Sequence, residues 1–433
     1  MTDLATPTAT VPDVRRKTGR TRVIGAIITV LGAFIAAVFG IGSSAQSHTS
    51  VTFQPVNLSS AVPWHIGTLT VPTRITCIVM GVLLIALGVE VIVRRPARGV
   101  MGRFGVAGVF FLFALILWAG RTFGPSQVPF INFTAILIGS AGAAMVLVYG
   151  SLSGVMCERS GVVNIAIEGQ FIGGALVGTV LASTTHSFLV AALGGVVIGG
   201  LIGWILAFLA LRYMSDQIIV GVVLVTMMSA LSSYFNLQVL SPYPQYNLGN
   251  LAPNYPIPLL SKIPIVGPVF FNQTAFFYFM MILVALVSFG LFKTRWGLRV
   301  RAVGEHPKAA SSVGIDVIRT RYINVILGGA IAGVGGVAFM AVQGQFQPGY
   351  TSGLGYVALA AMIFGRWRPS GAVVASVLFG ISVYLADNLQ TYQIPVPTEI
   401  LGMFPYFITI AVVSGLIGRV RSPAADGLPY HRD

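Results

Sequence analysis

The chain is 433 residues long, 55% hydrophobic and only 9% charged, far below the roughly 25% charged residues of a soluble domain. A mean hydropathy of +0.85 and apolar runs recurring at about 20 residues exclude a soluble fold and mark a polytopic helical membrane protein. The net charge of +14 does not point to nucleic acid, because Arg and Lys lie between the apolar runs, where membrane topology needs them.

In chain order, residues 1–22 are a polar, basic tail. No short apolar stretch with a cleavage site follows, so the run at 23–42 reads as a retained span. Further spans are predicted at 75–93, 104–120, 133–156, 161–182, 188–211, 217–240, 274–292, 322–341, 354–365, 371–387 and 400–418. The fold expected is all-α with about twelve transmembrane segments, or ten if two short ones are re-entrant. With the N-terminus in the cytoplasm, only Arg74, Arg121 and Lys262 of the 26 Lys and Arg fall on the outer side. That asymmetry places both termini in the cytoplasm. The organisation read from this is a tail at 1–22, a three-helix extension at 23–129, a core of further spans at 130–420 with a charged loop at 293–321, and a tail at 421–433. The loop at 241–273 is rich in proline, which blocks regular helix; it reads equally as a stiff cap or as a platform for an extracytoplasmic partner.

Enzyme chemistry finds no support. None of the four lysines, Lys17, Lys262, Lys293 and Lys308, follows a glycine, so a phosphate-binding G-x-x-x-x-G-K-[ST] loop is ruled out. The five histidines are scattered, and no H-E-x-x-H occurs. Cys77 and Cys157 lie near different spans and make neither a disulfide nor a metal-site pattern. Glu158 and Glu168 are the nearest thing to a carboxylate pair. No cofactor is expected on this chain.

Three polar stretches stand out. In ERSGVVNIAIEGQFIGGALVG (158–178), Glu158 and Arg159 are placed at the inner surface. Asn164 and Glu168, four apart, are expected on one helix face, with Glu168 roughly 10 Å in from Gly161. A carboxylate at such depth costs about 3 kcal/mol or more, so it must face protein or a watery path. It reads as a pathway group or as a structural anchor, and no basic residue lies within the predicted spans to pair with it. In QGQFQPGYTSGLGYVALAAMIFGRWRPSG (343–371), the apolar segment is too short to cross ~30 Å of hydrocarbon. A broken helix near 343–365 is expected, of the kind that frames transporter binding sites; the plainer reading is a polar loop before an ordinary span. The amides of Gln343 and Gln345 are suited to a neutral polar solute, and Tyr356 joins the candidate pathway. In the loop 293–321, Pro307 suits a helix start and Gly314 its end. Ala309, Ala310 and Val313 are expected to form a small apolar face flanked by His306 and Lys308, with a second short turn near Asp316–Arg321. A helix this short must lie against something, either its own neighbours or a cytoplasmic partner.

Four stretches together resemble the permease subunits of ATP-binding-cassette importers of the ribose and branched-chain amino-acid type, nearest to nucleoside and simple-sugar permeases: ERSGVVNIAIEGQ, PIPLLSKIPIVGPVFFNQ, AVGEHPKAASSVGIDV and GLGYVALAAMIFGRWRPSG. The likeness covers about residues 130–420. It implies a multi-pass protein of a bacterial plasma membrane, paired with a second permease, similar or identical. It also implies two cytoplasmic ATPase subunits carrying ATP and Mg, and an extracytoplasmic solute-binding protein. Glu305, His306, Pro307, Lys308, Ala309, Ala310, Val313, Gly314 and Ile315 would match the ATPase-coupling helix. Asn164, Glu168 and Gln170 would match a signature of the family and join Gln343, Gln345 and Tyr356 as candidates for the substrate pathway. The solute expected is a nucleoside or a related sugar-like molecule, with ribose, galactose or a branched-chain amino acid as alternatives. Two other classes remain open: an ion-coupled transporter or channel using Glu168 as a relay, and a non-transporting scaffold.

Overall fold

A computed structural model of the protein describes residues 14–53, 67–94, 96, 100–120, 130–351, 353–391, 403 and 421–430. The span predicted at 400–418 lies outside the described residues. The helices, in order, are α1 (Val14–Phe34), α2 (Thr73–Arg94), α3 (Val100–Ala119), α4 (Phe133–Glu158), α5 (Ile167–Thr185), α6 (Phe188–Arg212) and α7 (Gln217–Phe235). They continue with α8 (Val266–Phe270), α9 (Ala275–Lys293), α10 (Arg295–Glu305), α11 (Pro307–Ser312), α12 (Val317–Gln343), α13 (Leu354–Phe364) and α14 (Pro369–Thr391). Among the described residues, nine helices are long and apolar enough to cross a membrane. Helix α5 is also 19 residues long, but carries Glu168 and Gln170 in its first turns and Ser and Thr at its end.

Three predicted boundaries move. Helix α1 begins at Val14 rather than near 23, so the basic tail is partly helical, and it continues through a π-helical stretch, Ile35–Ile41. The segment predicted as helix from 161 begins only at Ile167. Helix α12 begins at Val317, five residues early, because the Asp316 carboxylate accepts a hydrogen bond from the Arg319 amide and caps it. The turn expected at Asp316–Arg321 is therefore the first turn of α12.

The helical expectation also omits two small sheets. Strand β1 (His48–Thr52) pairs antiparallel with β2 (Leu69–Pro72) and parallel with β3 (Phe130–Asn132). Strand β4 (Asn254–Pro256) pairs with β5 (Asn272–Thr274). They tie down the two long loops that begin at 43 and 241.

Helices α1 to α3 bury an apolar cluster of their own, including Ile28, Ile35, Leu84 and Leu117, which meets Leu385 and Leu389 of α14. Between α2 and α3, Arg103 donates two bonds of 3.1 Å to the Glu90 carboxylate. In the rest of the chain α12 is the centre, packed against α4, α5 and α6. Close approach of α6 and α12 depends on glycine. A Cβ on Gly333 would run into the carbonyl oxygen of Gly195, and neither backbone can yield without parting the helices. Gly333→Val is expected to destabilise the permease by about 1–3 kcal/mol through overpacking, seen as a lower melting temperature in detergent.

Candidate functional site

The site is built around the half-helix α13. At about 1.5 Å per residue its 11 residues reach roughly 16 Å, half a bilayer core. Residues 344–351, before it, are not helical, as the glycines and Pro348 predict.

Both ends of α13 are gripped from the junction of α4 and α5, by Glu168 in the first turn of α5 and by Glu158 at the end of α4 with Arg159 after it. At its start, Glu168 accepts bonds from the backbone amides of Gly353 (3.0 Å) and Gly355 (2.6 Å). The carboxylate is 5% exposed and lies in the first turn of α5, so it sits at two helix N-termini, where partial positive charge and free N–H groups favour an anion. This explains a buried carboxylate with no cationic partner. Gly355 must be glycine, since a Cβ there would strike the Glu168 backbone.

At the other end, Arg366 and Trp367 turn the chain from α13 into α14 with φ of +56° and +52°. Such left-handed residues cost on the order of 1–3 kcal/mol each and persist only when held. The Trp367 indole N–H donates to Glu158 (2.5 Å), and the Arg159 Nε donates to the Trp367 carbonyl (2.9 Å). Glu158, placed at the inner end of its span, is buried within the protein. Trp367→Phe keeps an aromatic side chain, though a smaller one, and leaves the Glu158 carboxylate without that donor. A loss of about 1–3 kcal/mol and several-fold slower transport are expected, measured by melting and by uptake.

The chain from Arg159 to Ala166 is a buried non-helical turn. The Ser160 hydroxyl donates to the Cys157 carbonyl (2.7 Å), and Gln217 accepts from the Val163 amide (2.8 Å). Asn164 donates to Ser153 (3.1 Å) and Gln170 (3.2 Å). Asn164 and Glu168 thus do not share a helix face: side-chain bonds to the turn outcompete helix here. Asn164 and Gln170 are fully buried.

The other pathway candidates are reachable. Gln343 ends α12, and Gln345 lines a small recess with Ile172, Ala175 and Tyr350. Next to it, Phe346 and Asn247 exchange two bonds of 2.9 Å, clasping the proline-rich loop to the broken segment. Tyr356 is 42% exposed on α13, in line with Ala360 and Ile363 on the face turned from the bundle.

The Arg-rich loop is more helical than predicted. Helix α10 precedes α11 and buries Gly297, Val300, Val303 and Gly304; that three-to-four-residue spacing is a helix signal which the density of arginines obscured. Helix α11 begins at Pro307 as expected. The apolar face predicted from Ala309, Ala310 and Val313 is divided. Ala310 is 3% exposed and packs on Val303 and Val317, while Val313 is 75% exposed. Glu305, His306, Lys308 and Ala309 are exposed, and Ile315 is half-buried. Val313, Gly314 and Ile315 border an open groove of about 990 Å³ shared with Leu298, Arg299 and Arg319. The loop is anchored through Phe292, whose ring carries the Arg159 and Arg301 guanidinium groups at 5.6 and 5.2 Å. Sequence reasoning also missed Arg321. Placed outside the predicted span, it lies in the first turns of α12, fully buried, and donates to the carbonyls of Leu428 and Ala425.

The model of one protein family, described as the permease component of the branched-chain amino acid transport system, matches residues 136–413. The chain belongs to this family. The permease is 39% identical over 296 residues to a nucleoside ABC transporter permease protein of Lactococcus lactis, covering 66% of the chain and 92% of the relative. It is 36% identical over 302 residues to a guanosine ABC transporter permease protein of Bacillus subtilis, again covering 66% and 92%. A putative glucose ABC transporter permease protein of Haloferax volcanii is 32% identical over 332 residues, 70% of the chain and 99% of the relative. The permease is thus a multi-pass transport subunit of the ATP-binding-cassette class, not an enzyme, and ATP hydrolysis in such systems belongs to a separate subunit. Helices α1 to α3 lie before the matched residues.

Proposed function

We propose that this permease forms the membrane path of an ATP-driven importer for nucleosides, in a bacterial plasma membrane. The carrying observation is its 39% identity across 92% of a permease named for nucleosides. Two ATPase subunits, holding ATP and Mg, grip Glu305–Ile315 from the cytoplasm. A second permease completes the path, and an extracytoplasmic binding protein delivers the solute. Twelve spans, counting 400–418 and the half-helix, leave both termini in the cytoplasm. Residues 130–420 are the transport core, 23–129 an added three-helix unit, and 1–22 and 421–433 the tails.

Closure of the ATPase pair on ATP displaces α10 and α11, and the bundle shifts between two packed states with opposite openings. Solute passes the exposed face of α13 at Tyr356, with the Gln343 and Gln345 amides as hydrogen-bond partners for sugar hydroxyls or base edges. Glu168, Asn164 and Gln170 hold α13 and its supporting turn, and do not touch solute. A hexose is the second reading, favoured by the identity to the putative glucose permease.

Labelled guanosine uptake by membranes containing the complete complex tests the choice. Saturable uptake blocked by other nucleosides and untouched by excess glucose is expected. Labelled glucose uptake blocked by glucose, with no guanosine uptake, would replace the nucleoside reading with the hexose one.

A further inference from the structure

The segment 421–430 lies beyond the residues that match the family, which end at 413, yet it is seated at the centre of the Arg-rich end. The Ala425 amide donates to the Gly304 carbonyl at 2.9 Å, and the Ala424 amide to the Glu305 carboxylate at 3.3 Å. Both acceptors are on the last turn of α10, where it meets α11. From the other side, Arg321 of α12 donates to the Leu428 carbonyl at 3.0 Å and the Ala425 carbonyl at 3.4 Å. Tyr430 packs against the cluster of Val303, Ala310 and Val317.

The same segment reaches the turn between α4 and α5. A Cβ on Gly161 would meet both the Arg321 guanidinium and the Ala425 carbonyl oxygen, and one on Gly427 would meet the Val163 side chain. Asp426 lies beside Glu158, the residue that holds Trp367 at the end of α13. The tail therefore touches three bodies at once: the α10–α11 loop, the buried turn and the start of α12. Pro423 and Ala425 are buried in it. A buried guanidinium is costly unless it is hydrogen-bonded; Arg321 is fully buried, its Nε has no partner among the described residues, and its terminal nitrogens bond carbonyls of this tail.

We propose that Pro423–Leu428 is a tie that transmits motion of the α10–α11 loop into the turn gripping α13, with Arg321 as its positioning residue. The proposal rests on the reading that an ATPase holds that loop. Displacement of Gly304 and Glu305 then pulls Ala424 and Ala425, and through Arg321 and Gly161 it shifts the turn whose two ends fix the half-helix. Without the tie the loop still offers Val313 to the motor, but its movement reaches α13 only weakly.

The test uses the complete complex in liposomes and compares three permeases with the unaltered chain: one ending at residue 420, Arg321→Lys, and Ala425→Pro. Proline removes the amide hydrogen that the Gly304 carbonyl accepts, and it also fixes φ at 425 and restricts Ala424, so this variant strikes the tie at the α10 contact while the rest of the tail sequence is kept. Three quantities are read: ATPase retained on purification, ATP hydrolysed, and solute taken up per ATP. The tie predicts ATPase retention and continued hydrolysis in all three, with uptake per ATP lowered about tenfold in the truncated chain and severalfold in the point variants. Unchanged uptake per ATP in Ala425→Pro and the truncated chain overturns the proposal. Parallel loss of ATPase and uptake also overturns it, because the tail would then merely support the docking loop. Failure of the underlying reading looks different: the unaltered permease itself would take up solute with no ATPase present.

Discussion

Glu168→Ala is expected to abolish most transport and to lower the stability of the permease by about 2–6 kcal/mol. Two amides, the part-buried one of Gly353 and the buried one of Gly355, lose their acceptor, and an unsatisfied buried donor costs roughly 1–3 kcal/mol. The start of α13 also loses the anion that complements its dipole. Glu168→Asp keeps the charge, but its shorter reach engages the amides less well, so an intermediate loss is expected. Thermal unfolding in detergent and solute uptake at matched membrane levels measure both. A relay role for Glu168 makes a different prediction: Glu168→Gln would remove uptake with little change in melting, and uptake in the unaltered chain would collapse with an uncoupler. Full stability in Glu168→Ala would contradict the clamp described here.

Val313→Asp is expected to eliminate ATPase association and lower uptake at least tenfold while the permease itself stays folded. Val313 is among the most exposed apolar side chains on the Arg-rich end, so a charge there costs the isolated chain little but is buried unpaired if a partner covers it. Ala310→Asp is the instructive contrast. Ala310 is packed between Val303 and Val317, and a carboxylate there disrupts the loop before any partner arrives. Co-purification of the ATPase with each variant, beside the melting temperature of the permease alone, separates the two. Retention of the ATPase by Val313→Asp would place the docking surface elsewhere.

Features that depend on local pattern were legible in the sequence. Apolar length gave nine of the predicted spans, the shortness of LGYVALAAMIFG gave the half-helix, and Pro307 gave the start of α11. Features that depend on distant partners were hidden. Glu168 bonds backbone amides 185 and 187 residues away, and no side-chain pattern records an amide as a partner. Asn164 misled because its spacing from Glu168 fits a helix, whereas its side chain is engaged across a buried turn. Arg321 escaped because hydropathy alone cannot see an arginine admitted into a helix by carbonyls from the other end of the chain.

The central claim is that a separate motor drives solute through this permease by way of the loop at 305–315. The most direct measurement is labelled nucleoside uptake into liposomes holding the permease and binding protein, with and without the ATPase subunits, under ATP or under an imposed ion gradient. Accumulation only when both ATPase and ATP are present, indifferent to an uncoupler, is the predicted result. Accumulation that follows the ion gradient with the ATPase left out would contradict it.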